Sequence, residues 1–498
     1  MKSLVALTAL LGSAILVAPA LADGGYFSGT LGARAAGRAG AFTAKADDLS
    51  AVIFNPAGLA NLETTLIEVG NQISYNAYSF ARAPTRDYGQ AGAPMVSFDK
   101  VSNGKPWQPF VPMAGVASKL GLRDWGFALA VYAPPGISQE AFPLGSGLGD
   151  GQRYMMIDRE SIILNYVASA AWKYHELFGV GASAEWISVP TLNYSLVING
   201  NPLSGASNAN PVSGYYDMVA TTKGSSLFTF NAILGAWYRP VPSLMFGLSG
   251  QVVPATVVTH STLSISPINT ADLGSSVLLT RNGVPANDVS LKFPLPMVGR
   301  AGARYRKLQG NRERFDIELD LEYVTWSRVK RFTIEANGLQ ANCMGSGCRG
   351  QYVNVDQINI EKHWRDTLGV KLGGDYAVMP GRLTLRAGGY YESAVADPAY
   401  ANVDFPGGAQ LGGAVGGSLF FWRLEVAVAY MLKVQPSVSV SEANARVYQQ
   451  VPSGMCVAPY TDPLACNPNY PGQPSPSINA GTYTASSHLV SLDVLYRF

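Results

Sequence analysis

Four carboxylates spaced two residues apart, Asp316, Glu318, Asp320 and Glu322, alternate with Phe315, Ile317, Leu319, Leu321 and Tyr323. In an extended chain successive side chains point to opposite faces, so this spacing puts the acids on one face and the apolar groups on the other. Upstream, Arg300, Arg304 and Arg306 share a face of a second extended run, and Arg382 and Arg386 share a face of a third. Two kinds of chemistry fit such an array. Either the opposite charges pair across neighbouring strands and only neutralise and stiffen an interior, or one arginine, Arg300 or Arg304, is left to hold the anionic group of a ligand.

The other reactive residues point away from catalysis. His175 falls in a turn, His260 in an apolar run, and His363 and His488 near the ends of extended runs. None stands in an evident Ser-His-acid arrangement, so an enzyme is not expected and no cofactor is implied. The four cysteines form two local pairs in long polar stretches, Cys343 with Cys348 and Cys456 with Cys466. In an exported chain, such pairs read as loop-stapling disulfides. Zinc is the competing reading, but no histidine sits beside either pair and the spacing is not that of a zinc finger, so no metal is expected. A net charge of +2 without a basic stripe predicts no nucleic-acid partner.

The elements that must position these residues are strands. From His488 to the terminal Phe498, Val490, Leu492, Val494, Tyr496 and Phe498 fall on one face and Ser491, Asp493 and Arg497 on the other, with Leu495 the one apolar intruder. That is the pattern of a closing strand in an outer-membrane barrel, with lipid on one side and a lumen on the other. Acids in the same register cannot face lipid, where a charge is expensive to hold at the midplane, so Asp316 to Glu322 must point inward. Residues 1–22 read as a signal peptide, with Lys2, an apolar run from Leu4 to Val17 and the small-residue site Ala20-Leu21-Ala22. No later stretch of about eighteen apolar residues appears, which excludes a helical membrane protein. A composition of 47% hydrophobic and 14% charged residues, with 53 glycines and 25 tyrosines, suits a barrel.

Alternation and turn residues together predict fourteen antiparallel strands: 66–80, 111–120, 125–133, 159–174, 178–197, 225–239, 244–265, 289–306, 314–335, 356–379, 383–393, 409–422, 424–440 and 484–498. Their connections alternate in length. Six short turns and seven long loops are what fourteen strands require when both termini lie in the periplasm. Aromatic residues gather beside the short turns, at Trp172 and Tyr174, Trp237 and Tyr238, Tyr305, Phe421 and Trp422, where they would form a periplasmic girdle. The fold class expected is an all-β transmembrane barrel covering residues 63–498, in the outer membrane of a Gram-negative bacterium.

Between the signal peptide and the first strand, residues 23–62 do not alternate and are dominated by small side chains. A fourteen-stranded barrel is wider than its own side chains fill, so this segment is expected inside the lumen as a plug; a periplasmic leader is the other reading. Within it, the run from Asp47 to Leu59, which includes Ala51-Val52-Ile53-Phe54-Asn55-Pro56-Ala57-Gly58, resembles the hatch of the FadL and TodX family of outer-membrane transporters of hydrophobic compounds. With the signal peptide, the strand count and the terminal Phe498, the resemblance extends in plan over nearly the whole chain. It implies a hatch-plugged, monomeric barrel that carries long-chain fatty acids or aromatic hydrocarbons inward without energy coupling. It also implies that the turn Asn55, Pro56, Ala57 lies against an inward kink in the third strand, beside a lateral opening to membrane lipid.

The third run supports that expectation independently, because Ala133-Pro134-Pro135-Gly136 interrupts it and proline cannot donate to a sheet ladder. The same prolines would also suit a plain strand end. Phe27 and Phe54 of the hatch, Tyr132 ahead of the interruption, and Arg300 and Arg304 are the candidate substrate contacts. Uptake of long-chain fatty acids is the leading expectation, aromatic hydrocarbon uptake by the same route the alternative. A general porin or an adhesin stands behind both, since a plugged lumen argues against open diffusion.

Overall fold

The structure, a computed structural model, describes residues 30–86, 95–134, 139–142, 144, 150–199, 217–268, 277–310, 312–343, 352–448 and 477–498. Residues 1–22, expected as a signal peptide, and Phe27, Pro135, Gly136, Cys348, Cys456 and Cys466 therefore lie outside the described residues, and of Cys343 only the backbone is described, at the end of a strand. Fourteen antiparallel wall strands close into a barrel. They are Leu66–Arg82, Trp107–Ser118, Trp125–Tyr132, Met156–Tyr174, Phe178–Asn199, Asp217–Val241, Leu244–Gln251, Val298–Gln309, Arg312–Val324, Thr367–Met379, Leu383–Glu392, Gln410–Phe421, Leu424–Val440 and Gly481–Arg497. The first pairs with the last along its full length, from Leu66 opposite Arg497 to Arg82 opposite Gly481, so no wall edge is left exposed.

Burial along the wall is the reverse of a soluble sheet. In the ninth strand Glu318 is 0% exposed while its neighbour Leu319 is 46% exposed, and Asp316, Asp320 and Glu322 are buried alongside Glu318. The last strand repeats this, with Ser491, Asp493 and Leu495 buried and Val490, Leu492, Val494 and Tyr496 outward. Only a hydrocarbon surround makes that arrangement favourable, since the outward side chains gain from lipid contact and the charges are kept from it.

Four of the expected strands are too long, and the reason is physical. The seventh, eighth, ninth and tenth stop at Gln251, begin at Val298, stop at Val324 and begin at Thr367, where the sequence pattern runs on to 265, back to 289, on to 335 and back to 356. Pairing puts all four ends on one row: Gly250 opposite Gly299, Gly299 opposite Tyr323, and Tyr323 opposite Leu368. Above that row the chain breaks at Pro254, at Pro294 and Pro296, at the 3-10 turn Trp326–Arg328 and at His363, whose φ is +46°. Proline removes a ladder donor and so ends the seventh and eighth runs at the row, while the 3-10 turn and the positive φ of His363 turn the chain out of the ninth and tenth.

The displaced pieces, Thr256–Val258, Asp288–Pro294, Arg331–Cys343 and Tyr352–Glu361, pair with one another and with a further strand, Val277–Arg281, at the long-loop end. His260–Pro267 resumes pairing with the upper half of the sixth wall strand. Beneath these strands Trp326, Phe332, Trp364 and Phe405 pack edge to face, with ring centroids 5.2–6.4 Å apart.

The N-terminal residues 30–62 are almost entirely buried and hydrogen-bond to inward groups of the wall. Two short helices, Ala33–Ala36 and Ala51–Phe54, and the 3-10 turn Pro56–Asn61 are too brief to satisfy their own backbone. Wall acids accept N–H groups at the first of these helices and along the irregular chain between them. Asp320 takes the Phe42 and Thr43 N–H groups at 2.9 Å each, Glu318 takes Ala44 N–H at 2.6 Å, and Glu68 of the first strand takes Leu49 N–H at 3.0 Å. Asp493 of the last strand accepts from Ala33 N–H. Arg38, 0% exposed, lies among Asp316 at 2.6 Å, Asp375 at 2.7 Å and Glu318 at 3.1 Å. The acidic face read from the sequence therefore has two sets of partners: wall arginines and this segment.

Candidate functional site

The interrupted third strand is the place to build from. Its ladder with the fourth strand runs to Tyr132 opposite Asn165 and resumes at Gln139 opposite Glu160. Pro134 is at the interruption; Pro135 and Gly136 follow outside the described residues. On the other side, Ala133 N–H still reaches Pro112 O at 2.9 Å. Above the break, a glutamine replaces the missing peptide contacts. Buried Gln108 of the second strand donates from Nε2 to Gln139 O at 2.7 Å and accepts Gln139 N–H at 3.0 Å, while Gln139 Nε2 donates to Trp107 O at 2.6 Å. A primary amide has the donor and acceptor of a peptide group, so this pair closes the upper edge of the break without a strand.

Inside the break lies a cavity with about 890 Å³ of atom-free space, its open mouth included. That is the scale of small-molecule sites. The N-terminal segment supplies Leu31 and Ile53 to its lining. Val253, Leu295, Pro296 and Trp326 come from the breaks in the overlong strands, so the segments at those breaks form part of the cavity wall. Tyr132 and Pro134 line it on the third-strand side.

Its polar end has two parts. In one, Glu185 of the fifth strand accepts the Tyr132 hydroxyl at 2.7 Å and the Asn231 amide at 2.5 Å, and Asn165 donates to the Tyr132 oxygen at 2.8 Å. In the other, Arg300 pairs with Glu322 at 2.6 Å and donates to Ile53 O at 3.1 Å, and Lys371 meets the second oxygen of Glu322 at 2.7 Å. Glu322 is thus bound on both oxygens by cations, while among the described residues no lysine or arginine lies within ion-pair distance of Glu185.

Of the sequence candidates, the structure brings Tyr132 and Arg300 into this cavity. Arg304 lies away from it, bound to Asp316 and Glu313 at 2.6 Å each. Phe54 also stands outside the lining: its ring meets Phe42 at 5.7 Å and lies under Arg300 at 5.4 Å.

Among the described residues, the hydrogen bonds of the turn Asn55, Pro56, Ala57 to the wall go to the sixth strand, which it meets beside the fifth. Asn55 Nδ2 donates to Ala236 O at 3.0 Å and Thr43 O at 2.9 Å, and Ala57 O accepts from Trp237 Nε1 at 3.0 Å. Glycine makes that approach possible: a Cβ on Gly235 would come within 2.2 Å of Asn55 Oδ1, and one on Gly181 within 2.5 Å of Ala57 N. The third strand is met two residues later, where a Cβ on Gly126 would fall 2.2 Å from Leu59 O. Trp237 accordingly faces inward and leaves the girdle, whereas Tyr238 remains outward.

Glu185, Asn165 and Asn231 escape sequence reading, because isolated polar residues on inward positions carry no pattern. One signal exists: Glu185 is the sole charged residue of Phe178–Asn199.

A family model described as outer membrane protein transport protein (OMPP1/FadL/TodX) matches residues 14–455. A FadL homologue from Pseudomonas aeruginosa superposes with a TM-score of 0.69 at 15% identity, over 95% of this chain and 100% of that one. The toluene transporter TodX of Pseudomonas putida gives a TM-score of 0.61 at 14% identity, over 96% and 99% of the two chains. For the toluene transporter TbuX of Ralstonia pickettii the values are 0.57 and 14%, over 94% and 99%. No curated protein matches the sequence. The matched span, the closed fourteen-stranded wall and its inverted burial together place the chain in the OMPP1/FadL/TodX family of outer-membrane transport proteins.

Proposed function

We propose that the protein carries small neutral hydrophobic molecules, aromatic hydrocarbons foremost, passively across the outer membrane, with residues 23–62 as the hatch inside the barrel formed by 63–498. One observation carries the choice of substrate: the cavity's arginine is already bonded to Glu322 and Ile53 O, so a fatty-acid carboxylate has no unengaged cation to meet. Burying a carboxylate beside Glu185 and Glu322 without such a partner is unfavourable, whereas a neutral ring gains simply from leaving water. The likeness in fold to two toluene transporters agrees with this reading.

In this account a ligand enters from the long-loop end, rests between Ile53 and Trp326, and leaves sideways past Pro134 into lipid. Asn55, Pro56 and Ala57 anchor the hatch to the fifth and sixth strands, which keeps Leu31 and Ile53 in place as one side of the cavity. The break at Pro134, Pro135 and Gly136 is the exit. Tyr132 and Arg300 border the resting ligand. A single barrel contains every part of this path, so the protein acts as a monomer.

The test is uptake of labelled toluene and labelled oleate by cells with and without the gene, at matched amounts of folded barrel. Faster entry of toluene alone supports the proposal. Faster entry of oleate with no effect on toluene refutes the substrate assignment and restores the fatty-acid reading.

A further inference from the structure

We propose that one side of the barrel's periplasmic rim is a binding surface for anionic phospholipid of the inner leaflet, with the phosphate group of phosphatidylglycerol seated among arginines. The short turns define that rim. The turn between the eighth and ninth strands carries Lys307, Arg312 and Arg314, the next short turn carries Arg382, and the one after it carries Arg423, beside Arg497 of the last strand. Apart from the chain's terminal carboxylate, the acids of this stretch are occupied: Glu313 binds Arg304 at 2.6 Å and Glu425 binds Arg497 at 2.7 Å. Lys307, Arg312, Arg314, Arg382 and Arg423 form no ion pair among the described residues.

The rest of the rim is nearly balanced. There Lys119, Arg123, Lys173 and Arg239 are set against Glu63, Asp124 and Glu176, and Glu176 joins Arg239 at 2.6 Å and also binds Lys173. A chain of net charge +2 thus gathers unpaired cations on one side of one end. Such a field draws an anionic surface toward it.

Their height puts these cations at the lipid headgroups. Tyr305, Tyr376, Phe421, Tyr496 and Phe498 point outward beside the same turns, and rings in that position sit at the membrane–water interface. Arg314 is fixed at this level: its guanidinium lies over the Tyr376 ring at 4.8 Å, and it donates to the Tyr376 hydroxyl oxygen at 3.0 Å and to Val378 O at 3.3 Å. Arg312 reaches the neighbouring turn, where its Nη1 lies 3.7 Å from the place a Cβ on Gly381 would take, and the next residue is Arg382. Arg312 and Arg382 are both exposed.

Three arginines at one corner with no acid bound to them repel one another unless an anion joins them, and the guanidinium fork fits two phosphate oxygens at once. The anion is assigned to lipid because Arg314 is held on a ring that faces the bilayer. A soluble acidic partner would be met by cations directed away from the membrane.

The experiment is native mass spectrometry of the purified full-length barrel, released from detergent after equal amounts of phosphatidylglycerol, phosphatidylethanolamine and phosphatidylcholine are added. Wild type is expected to retain phosphatidylglycerol about 5-fold more than either zwitterionic lipid, the effect of one cation near an anionic membrane surface. In the double variant Arg312→Gln, Arg382→Gln the ratio is expected to fall toward one. Neither side chain makes a hydrogen bond among the described residues, so the wall should fold, as heat-modifiable migration on gels will report; Arg382→Gln alone serves where the double variant does not fold. Arg123→Gln, on the balanced side, is expected to keep the wild-type ratio.

Equal retention of the three lipids by wild type, or a ratio that the variants at Arg312 and Arg382 leave unchanged, overturns the lipid surface and leaves the transport reading standing. An equal fall in Arg123→Gln overturns it too, because the preference would then follow total charge and not this corner. Displacement of phosphatidylglycerol by inorganic phosphate at constant ionic strength would assign the corner to a soluble phosphate and overturn the lipid assignment.

Discussion

Replacing Asn55 with alanine should separate anchoring of the proposed hatch from assembly of the wall. The side chain is 1% exposed and makes three hydrogen bonds: to Thr43 O at 2.9 Å, to Ala236 O at 3.0 Å and from Ala57 N–H at 3.2 Å. At about 1 kcal/mol net for each, the loss is about 3 kcal/mol, or roughly 100-fold in the equilibrium between docked and released hatch. The wall is spared, because Ala236 keeps its neighbours Val180 and Leu248 in the ladder. Hydrogen exchange is the assay: peptides spanning 51–62 should lose protection by about two orders of magnitude while wall peptides and heat-modifiable migration stay unchanged. Toluene uptake should fall with it, since Ile53 is no longer held against the cavity. Asn55→Asp should be worse than alanine, because it turns a carboxylate toward two carbonyl oxygens. Unchanged exchange over 51–62 in the alanine variant would refute the claim that this turn anchors the hatch.

Three further outcomes are expected. Leu319→Arg should lower barrel stability by about 2–4 kcal/mol in urea unfolding from lipid vesicles; no loss would place Leu319 away from lipid and invert the facing of the ninth strand. Exchanging Pro134, Pro135 and Gly136 for valine should let the third strand pair through its break, and toluene uptake should drop while folded-barrel yield holds; wild-type uptake would put the exit elsewhere. Mass spectrometry of non-reduced peptides should find Cys343 joined to Cys348 and Cys456 to Cys466, and free thiols at all four would end that expectation.

Alternation made the wall legible wherever period and environment act alone. The thirteenth strand, Leu424–Val440, matches its expected bounds residue for residue, and the acids of the ninth strand and Asp493 of the last point inward as their register requires. The overlong strands show the limit of the same signal. The apolar alternation of 260–265 and 331–335 continues past the breaks, where 331–335 pairs among the extra strands and 260–265 returns to the sixth wall strand, and period two does not distinguish an unbroken wall strand from such a continuation. Proline at 254, 294 and 296 was the available clue. The site was less legible because it is assembled from distant segments. Asn55 meets Ala236, and Arg300 meets Ile53, across separations of 181 and 247 residues. The Gly181 and Gly235 pair that admits the Asn55 turn to the fifth and sixth strands becomes meaningful only when those strands are seen side by side. Pro134 drew attention to the third strand for a sound local reason, but the local signal could not say that Leu59 comes close to Gly126 of that strand.

The central claim is that a neutral aromatic molecule rests in the cavity between the hatch and the break in the third strand. The most direct measurement is the anomalous signal of 4-bromotoluene in crystals of the barrel, soaked at a concentration that saturates uptake. The account predicts a bromine peak bounded by Ile53, Tyr132, Pro134 and Trp326. A saturating soak that leaves this cavity without a peak and places bromine elsewhere along the barrel would contradict it.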